Sequence, residues 1–254
     1  IVDAAPAMYI ALAIFVVAFI VLMFTKIEEP AQEPVKMELV KGALSYRHFS
    51  LGALAIFLYM SVEVGTPTYM IKYLISDADV TAGVASLIAA VYCCLVYWFA
   101  MFIGRTVGGS IGGKVSSRAM VSTVAAAAVV LLAFGMLAPS TWKVAVPGVD
   151  WANLSLIWVS VPVGVAAFIC VGLCTSVMWG GIFNMAVEGL GKYTAAASGI
   201  FMTMVFGCAV MVALQAFVAD VTGNYLISYI VPLLCAAYIL FYALVGSRVS
   251  QKAK

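Results

Sequence analysis

Seven long apolar runs, each almost free of charge, constrain this chain more than any other feature of its sequence. They fall at about Ala7–Phe24, Leu51–Leu74, Ala82–Ile111, Ala119–Ala138, Leu154–Val187, Ala195–Ala219 and Tyr225–Val245. Each meets or approaches the ~20 residues that a helix needs to cross ~30 Å of hydrocarbon, where backbone N–H and C=O groups must be satisfied within the segment. Only 9% of the 254 residues are charged and the mean hydropathy is +1.14, against roughly 25% charged residues in a soluble domain. The expected fold is an all-α membrane protein with seven transmembrane helices. The fifth run is longer than one span, so it is expected to tilt or protrude, with a bend at Pro162 and Gly164.

Loop charges orient these spans. With Thr25–Ser50 placed in the cytoplasm, alternation collects Lys26, Lys36, Lys41, Arg47, Lys114, Arg118, Lys192, Arg248, Lys252 and Lys254 on one side. Only Lys72 and Lys143 fall on the other. That is a positive-inside distribution, with the N-terminus outside and the C-terminus in the cytoplasm of a multi-pass inner-membrane protein. The chain opens IVDAAPAMYIALAIF, without Met or a basic leader, which reads as a fragment or an internal start. One span (1–24), a charged linker with two prolines (25–48) and six further spans (49–254) resemble the second half of a twelve-span carrier, preceded by the last helix of a first half. The linker has room for a short surface helix.

Glu63 is the one carboxylate in the middle of a span. Arg47 lies sixteen residues before it and Asp77 fourteen after, which places the acid ~20 Å from charged neighbours on either side. A carboxylate at that depth costs ~2.5–3.5 kcal/mol on insertion scales and normally faces a cavity or a partner. Pro67, four residues on, is expected to break the helix on the Glu63 face, and Tyr59, Thr66 and Met70 share that face. Tyr59 could donate to Glu63 or to a solute hydroxyl; equally, the acid could serve only as a helix-to-helix bond. Tyr92 in the third span carries a weaker version of the same argument.

Arg105 sits inside the inner part of the third span, nine residues before Lys114. It needs a carboxylate, helix carbonyls or water; gating and snorkelling to the interface are both open. Around it, Gly104, Gly108 and Gly112, and Gly109 with Gly113, recur at spacing four and admit a close helix neighbour. In the fifth span Trp179 precedes Gly180 and Gly181, and Asn184 follows. An indole face with hydrogen-bonding side chains suits a sugar. The two residues are roughly 140° apart on an ideal helix, so they line one cavity only if the glycines distort it. Trp179 as a packing residue is the plain alternative. Glu188 and Lys192 read as a surface i,i+4 pair, and Gln215 as a cavity cap or a bond to a neighbouring helix.

Other chemistries find little support. The six cysteines lie in apolar runs without a C-x-x-C pair and read as small buried hydrophobes. With His48 as the one histidine, no metal or other cofactor is expected. Nucleotide and hydrolase signatures are absent, and no basic cluster interleaved with aromatics points to nucleic acid.

The stretches YRHFSLGALAIFLYMSVEVGTPTYMIKYL, FIGRTVGGSIGGKVSSR and IFNMAVEGLGKYTAAASGIFMTMVFGCAVMVALQAFVADVTGN resemble the C-terminal half of the major facilitator superfamily. Within it they are similar to the fucose permease branch, sugar:proton symporters for fucose, glucose or galactose. The join IF-x-x-A-x-x-GLGKYT-x-x-x-SG with Q-x-x-x-AD is the most specific part. The resemblance covers about Tyr46 to Arg248, with Ala7–Phe24 similar to the last helix of the first half. It implies a two-bundle carrier of alternating access, whose partners are a hexose or deoxyhexose, protons, the lipid bilayer and the N-terminal bundle of the same transporter. It also implies that the helices holding Glu63, Trp179 and Asn184 supply part of the sugar site. Glu63 matches a position that is acidic in glucose/galactose-like members and amide-bearing in others, and it is the local candidate for proton coupling. The family's principal coupling carboxylates belong to the first half. Trp179 stands where a tyrosine or a small residue is the family's pattern. The competing readings are a carrier of a non-sugar solute and a polytopic membrane enzyme or assembly subunit.

Overall fold

The structure, a computed structural model, describes residues 5–25, 36–76, 84–150 and 155–249. It divides into two compact units, Ile1–Val35 and Lys36–Lys254. The first holds one helix, α1 (Ala5–Phe24), apolar on every side as its sequence requires. The second opens with a short helix α2 (Met37–Leu44), followed by α3 (Arg47–Met60), a π-helical turn (Ser61–Gly65) and α4 (Thr66–Ser76), which form one continuous span. Then come α5 (Val84–Ile111), α6 (Ser117–Leu137), a hairpin of β1 (Lys143–Asp150) and β2 (Ser155–Pro162), and α7 (Val163–Val187). The last helices are α8 (Thr194–Thr203), α9 (Gly207–Thr222) and α10 (Ile230–Phe241), with short 3-10 and π turns at their ends. Among the described residues six helical stretches are long and apolar enough to cross a membrane: Arg47–Ser76, Ala89–Ile111, Ser117–Leu137, Val163–Val187, Gly191–Thr222 and Ile227–Gly246. The apolar stretch Met8–Phe24 of α1 is shorter.

Two expectations are corrected. The run from Leu154 is not helical throughout: residues Ser155–Pro162 form a strand antiparallel to β1, with Val146 opposite Val159 and Lys143 opposite Pro162. Their alternation explains it, since Val159 and Val161 are buried while Trp158 and Ser160 are exposed, a period of two. Pro162 ends the strand and precedes the first residue of α7, so it begins a helix here and bends none. Secondly, Glu188 and Lys192 are not on one helix. Gly189 and Gly191 take φ of 73° and 52°, a left-handed conformation that ends α7 before Lys192.

The core of the second unit surrounds α7, which packs on α3, α5 and α6. Gly172 of α7 lies against the Tyr97 backbone, and Gly104 of α5 against Ser176. The row Gly104–Gly108 therefore serves the α5–α7 contact, whereas Gly109 and Gly113 have open space around them. At one end, His48 Nε2 bonds the Glu188 carbonyl at 2.9 Å, and Arg118 Nε donates to Ser247 Oγ at 3.2 Å. These bonds gather the starts of α3 and α6 with the ends of α7 and the last span. The hairpin joins α6 and α7 at their other ends.

Candidate functional site

Glu63 lies in the middle of the π turn, and Pro67 shows why the turn is there. In an α-helix the residue-67 N–H would serve the carbonyl of Glu63, and in a π-helix that of Val62. Proline has no N–H for either. A buried side-chain hydroxyl takes over. Tyr97 of α5 directs its hydroxyl to the Glu63 carbonyl at 3.0 Å and to the Val62 carbonyl at 3.4 Å. Thr68 Oγ1 donates to Val64 at 2.7 Å, and the Tyr229 hydroxyl donates to Thr66 at 2.8 Å. The extra residue of a π turn re-aims the side chain it carries, and such turns collect at functional sites.

The Glu63 carboxylate meets Arg105. Oε1 lies 3.1 Å from the guanidinium Nη2, with 12% of the Glu63 side chain exposed against 56% for Arg105. It is the one ion pair among the described residues. The sequence left each of these charges looking for a partner; the fold gives them one another. Pairing makes the site neutral, which offsets much of the cost of holding an acid at that depth. The Tyr59 side chain lies beside the carboxylate, and its hydroxyl donates to the Thr175 carbonyl at 3.1 Å.

Glu63, Arg105 and Trp179 share a cavity of about 370 Å³ with Met60, Ser176 and Val205. That volume lies within the ~300–1,000 Å³ of small-molecule sites. Trp179 forms one wall and is itself fixed, stacked on Phe183 (5.9 Å between centroids, 11° between planes) and edge-on to Phe201 (5.6 Å, 81°). Asn184 lines an adjoining cavity of about 360 Å³ that shares Arg105, Ser176 and Gly180 with the first. The glycines do not bring Asn184 and Trp179 into one cavity, because α7 runs unbroken through Gly180 and Gly181. A third cavity, about 510 Å³, shares Asn184 and Ser117 with the second and reaches Arg118 and Glu188. The three form a series leading from Glu63 to the end of the bundle where His48 meets Glu188.

Two residues singled out in the sequence lie elsewhere. Gln215 is fully buried on α9, with Oε1 against Gly65 on the α9-facing side of the π turn and Nε2 3.5 Å from Ser228 Oγ. Tyr92 is half-buried on α5 and packs on the core without lining these cavities. Conversely, sequence reading passed over Tyr97 and Ser176. A signal for Tyr97 exists: it precedes Gly104 by seven residues, so both fall on the α5 face that meets α7. Among the described residues, no three His, Cys, Asp or Glu side chains come together as metal ligands.

Six apolar spans, with an acid on a broken helix facing an open cavity, are the build of a multi-pass membrane protein. The fold is that of a major facilitator superfamily transporter. A crystal structure of the major facilitator superfamily transporter FucP in the outward conformation superposes with a TM-score of 0.71 at 20% identity, covering 98% of this chain and 55% of that one. A second crystal structure, of the E. coli fucose:proton symporter, gives 0.73 with the same coverage. By sequence, the chain is 30% identical over 244 residues to a glucose/galactose transporter of Brucella abortus. It is 27% identical over 254 residues to a putative glucose/galactose transporter of Helicobacter pylori, and 23% identical over 247 residues to the L-fucose-proton symporter of Escherichia coli. These matches cover 94–96% of this chain, which spans about half the length of those relatives. No family model matches it.

Proposed function

We propose that this chain is the C-terminal half of a secondary transporter that moves a hexose or deoxyhexose with protons by alternating access, and that Glu63, Arg105 and Trp179 form its share of the sugar site. The observation that carries this reading is the Glu63–Arg105 pair, 3.1 Å apart, in a cavity walled by Trp179. Ionised, Glu63 accepts hydrogen bonds from sugar hydroxyls; protonated, it donates one and releases Arg105 to a sugar oxygen or to the facing bundle. One proton thus changes both the charge and the donor pattern of the site, which is what coupling requires. The Trp179 indole offers an apolar face to the C–H face of a pyranose. Asn184 and Ser117 line the path from there towards Arg118 and Glu188. The basic ends of the spans face the cytoplasm, so this path leads to the inner side.

The names of the relatives support a sugar, and a cavity in which Arg105 neutralises Glu63 suits an uncharged solute better than an anion, which would have to displace Glu63 from Arg105. The test is uptake of labelled D-glucose, D-galactose and L-fucose by the full-length transporter in proteoliposomes, with and without an inward proton gradient. Gradient-driven accumulation of at least one sugar is expected. Equal uptake with and without the gradient would overturn the coupling, and no uptake of any sugar would overturn the substrate class.

A further inference from the structure

We infer that Tyr97 is the positioning residue for Glu63: its hydroxyl replaces the backbone donor that Pro67 lacks, and so fixes the π turn that aims the carboxylate at Arg105. This rests on the reading of Glu63 as part of the sugar site and adds to it a residue that touches neither the sugar nor the carboxylate.

Pro67 cannot serve the carbonyls four and five residues before it, those of Glu63 and Val62. The Tyr97 hydroxyl lies within 3.0 and 3.4 Å of those two carbonyls. Tyr97 is itself fully buried and cannot drift, because Gly172 of α7 is held against its backbone carbonyl and its ring sits edge-on to Trp98 at 5.6 Å. Its hydroxyl lies 3.5 Å from Thr175 Oγ1, while the Thr175 carbonyl takes the Tyr59 hydroxyl. Thr175 thus stands between the tyrosine that holds the turn and the tyrosine beside the acid. A second helix, α5, therefore supplies both the guanidinium that pairs with Glu63 and, eight residues earlier, the hydroxyl that sets the turn carrying it. Without that hydroxyl, one or both carbonyls lack a donor, and the turn is free to rewind towards α-helix. Rewinding rotates Glu63 relative to Arg105 and Trp179.

The test is a double-mutant cycle in the purified full-length transporter, read as Kd for D-glucose, D-galactose or L-fucose by calorimetry. Tyr97→Phe alone should weaken binding about tenfold. Pro67→Ala restores an N–H at residue 67, so Tyr97→Phe on that background should cost less than about twofold. Tyr238→Phe, which removes a hydroxyl bonded to the Leu51 carbonyl at 3.3 Å in the same span, is the control and should leave Kd within twofold. An equal loss from Tyr97→Phe on both backgrounds, or no loss on either, overturns the role of Tyr97. Should Tyr97→Phe not yield folded protein, its recovery by Pro67→Ala supports the proposal and a continued failure overturns it. Glu63→Gln, measured alongside, separates the two levels: if it leaves Kd unchanged, the reading of the site falls as well; if it weakens binding while Tyr97→Phe does not, only the inference about Tyr97 falls.

Discussion

Trp179 divides its indole between two tasks. One face stacks on Phe183, an edge meets Phe201, and the remainder borders the cavity that holds Glu63 and Arg105. Packing and sugar contact were alternatives in the sequence; in the fold they are compatible, because the residues that clamp the ring leave part of it beside the cavity. Trp179→Ala should therefore raise the KM for sugar about tenfold, equivalent to about 1.4 kcal/mol, with Trp179→Phe intermediate. Uptake kinetics at matched protein levels check this, and an unchanged KM in Trp179→Ala would confine the residue to packing. Residue chemistry was legible here because an acid, an arginine and an indole inside apolar runs each demand an explanation. Their mutual placement was not, since Glu63 and Arg105 are 42 residues apart on different helices. Gln215 shows the converse. A polar residue near a span end gives no sign of which way it faces, and its place beside Gly65 depends on the packing of α9 on the π turn.

Among the elements, the broken span Arg47–Ser76 was the most legible and the hairpin the least. Pro67 close after a buried acid announces a break, because proline withdraws a donor wherever it stands in a helix. At the break Tyr97 directs its hydroxyl to the carbonyls that Pro67 leaves without a donor, which no local rule of sequence reveals. The hairpin was masked by hydropathy, as Leu156, Ile157, Val159 and Val161 continue into α7 as one apolar run. Only their alternating burial separates strand from helix. Helix contacts carry a prediction of their own. A Cβ on Gly207 of α9 would collide with the backbone of Phe57 on α3, which cannot yield as a side chain would. Gly207→Ala should cost about 1–3 kcal/mol of stability, the range of overpacked cores. Gly199 of α8 has open space and its alanine variant should be neutral or slightly stabilising. Thermal unfolding of the two purified variants compares them directly, and equal melting temperatures would contradict the α3–α9 approach.

At the scale of the whole molecule, six spans in alternation put the loops that contain Ser116 and Lys192 at one end and the hairpin at the other. The excess of Lys and Arg at the first end places it in the cytoplasm under the proposed orientation. A cysteine at Ser116, in an otherwise cysteine-free full-length transporter, should react with an impermeant maleimide only in inside-out vesicles. One at Ala145, exposed on β1, should react only in right-side-out vesicles. The reverse pattern would invert the topology. Fold class and span count were readable because hydrocarbon leaves a chain few choices. The proposed solute site is a cavity assembled from four different spans, so the solute was readable only as a class.

The most direct test of the account is the Glu63→Gln variant of the full-length transporter in proteoliposomes, measured for accumulation driven by an inward proton gradient and for sugar exchange at equilibrium. The amide keeps the size of the side chain but cannot take up and release a proton. Gradient-driven accumulation should fall at least tenfold while the protein remains folded and monodisperse. Accumulation equal to that of the unaltered transporter would show that neither sugar binding nor proton coupling runs through the Glu63–Arg105 pair.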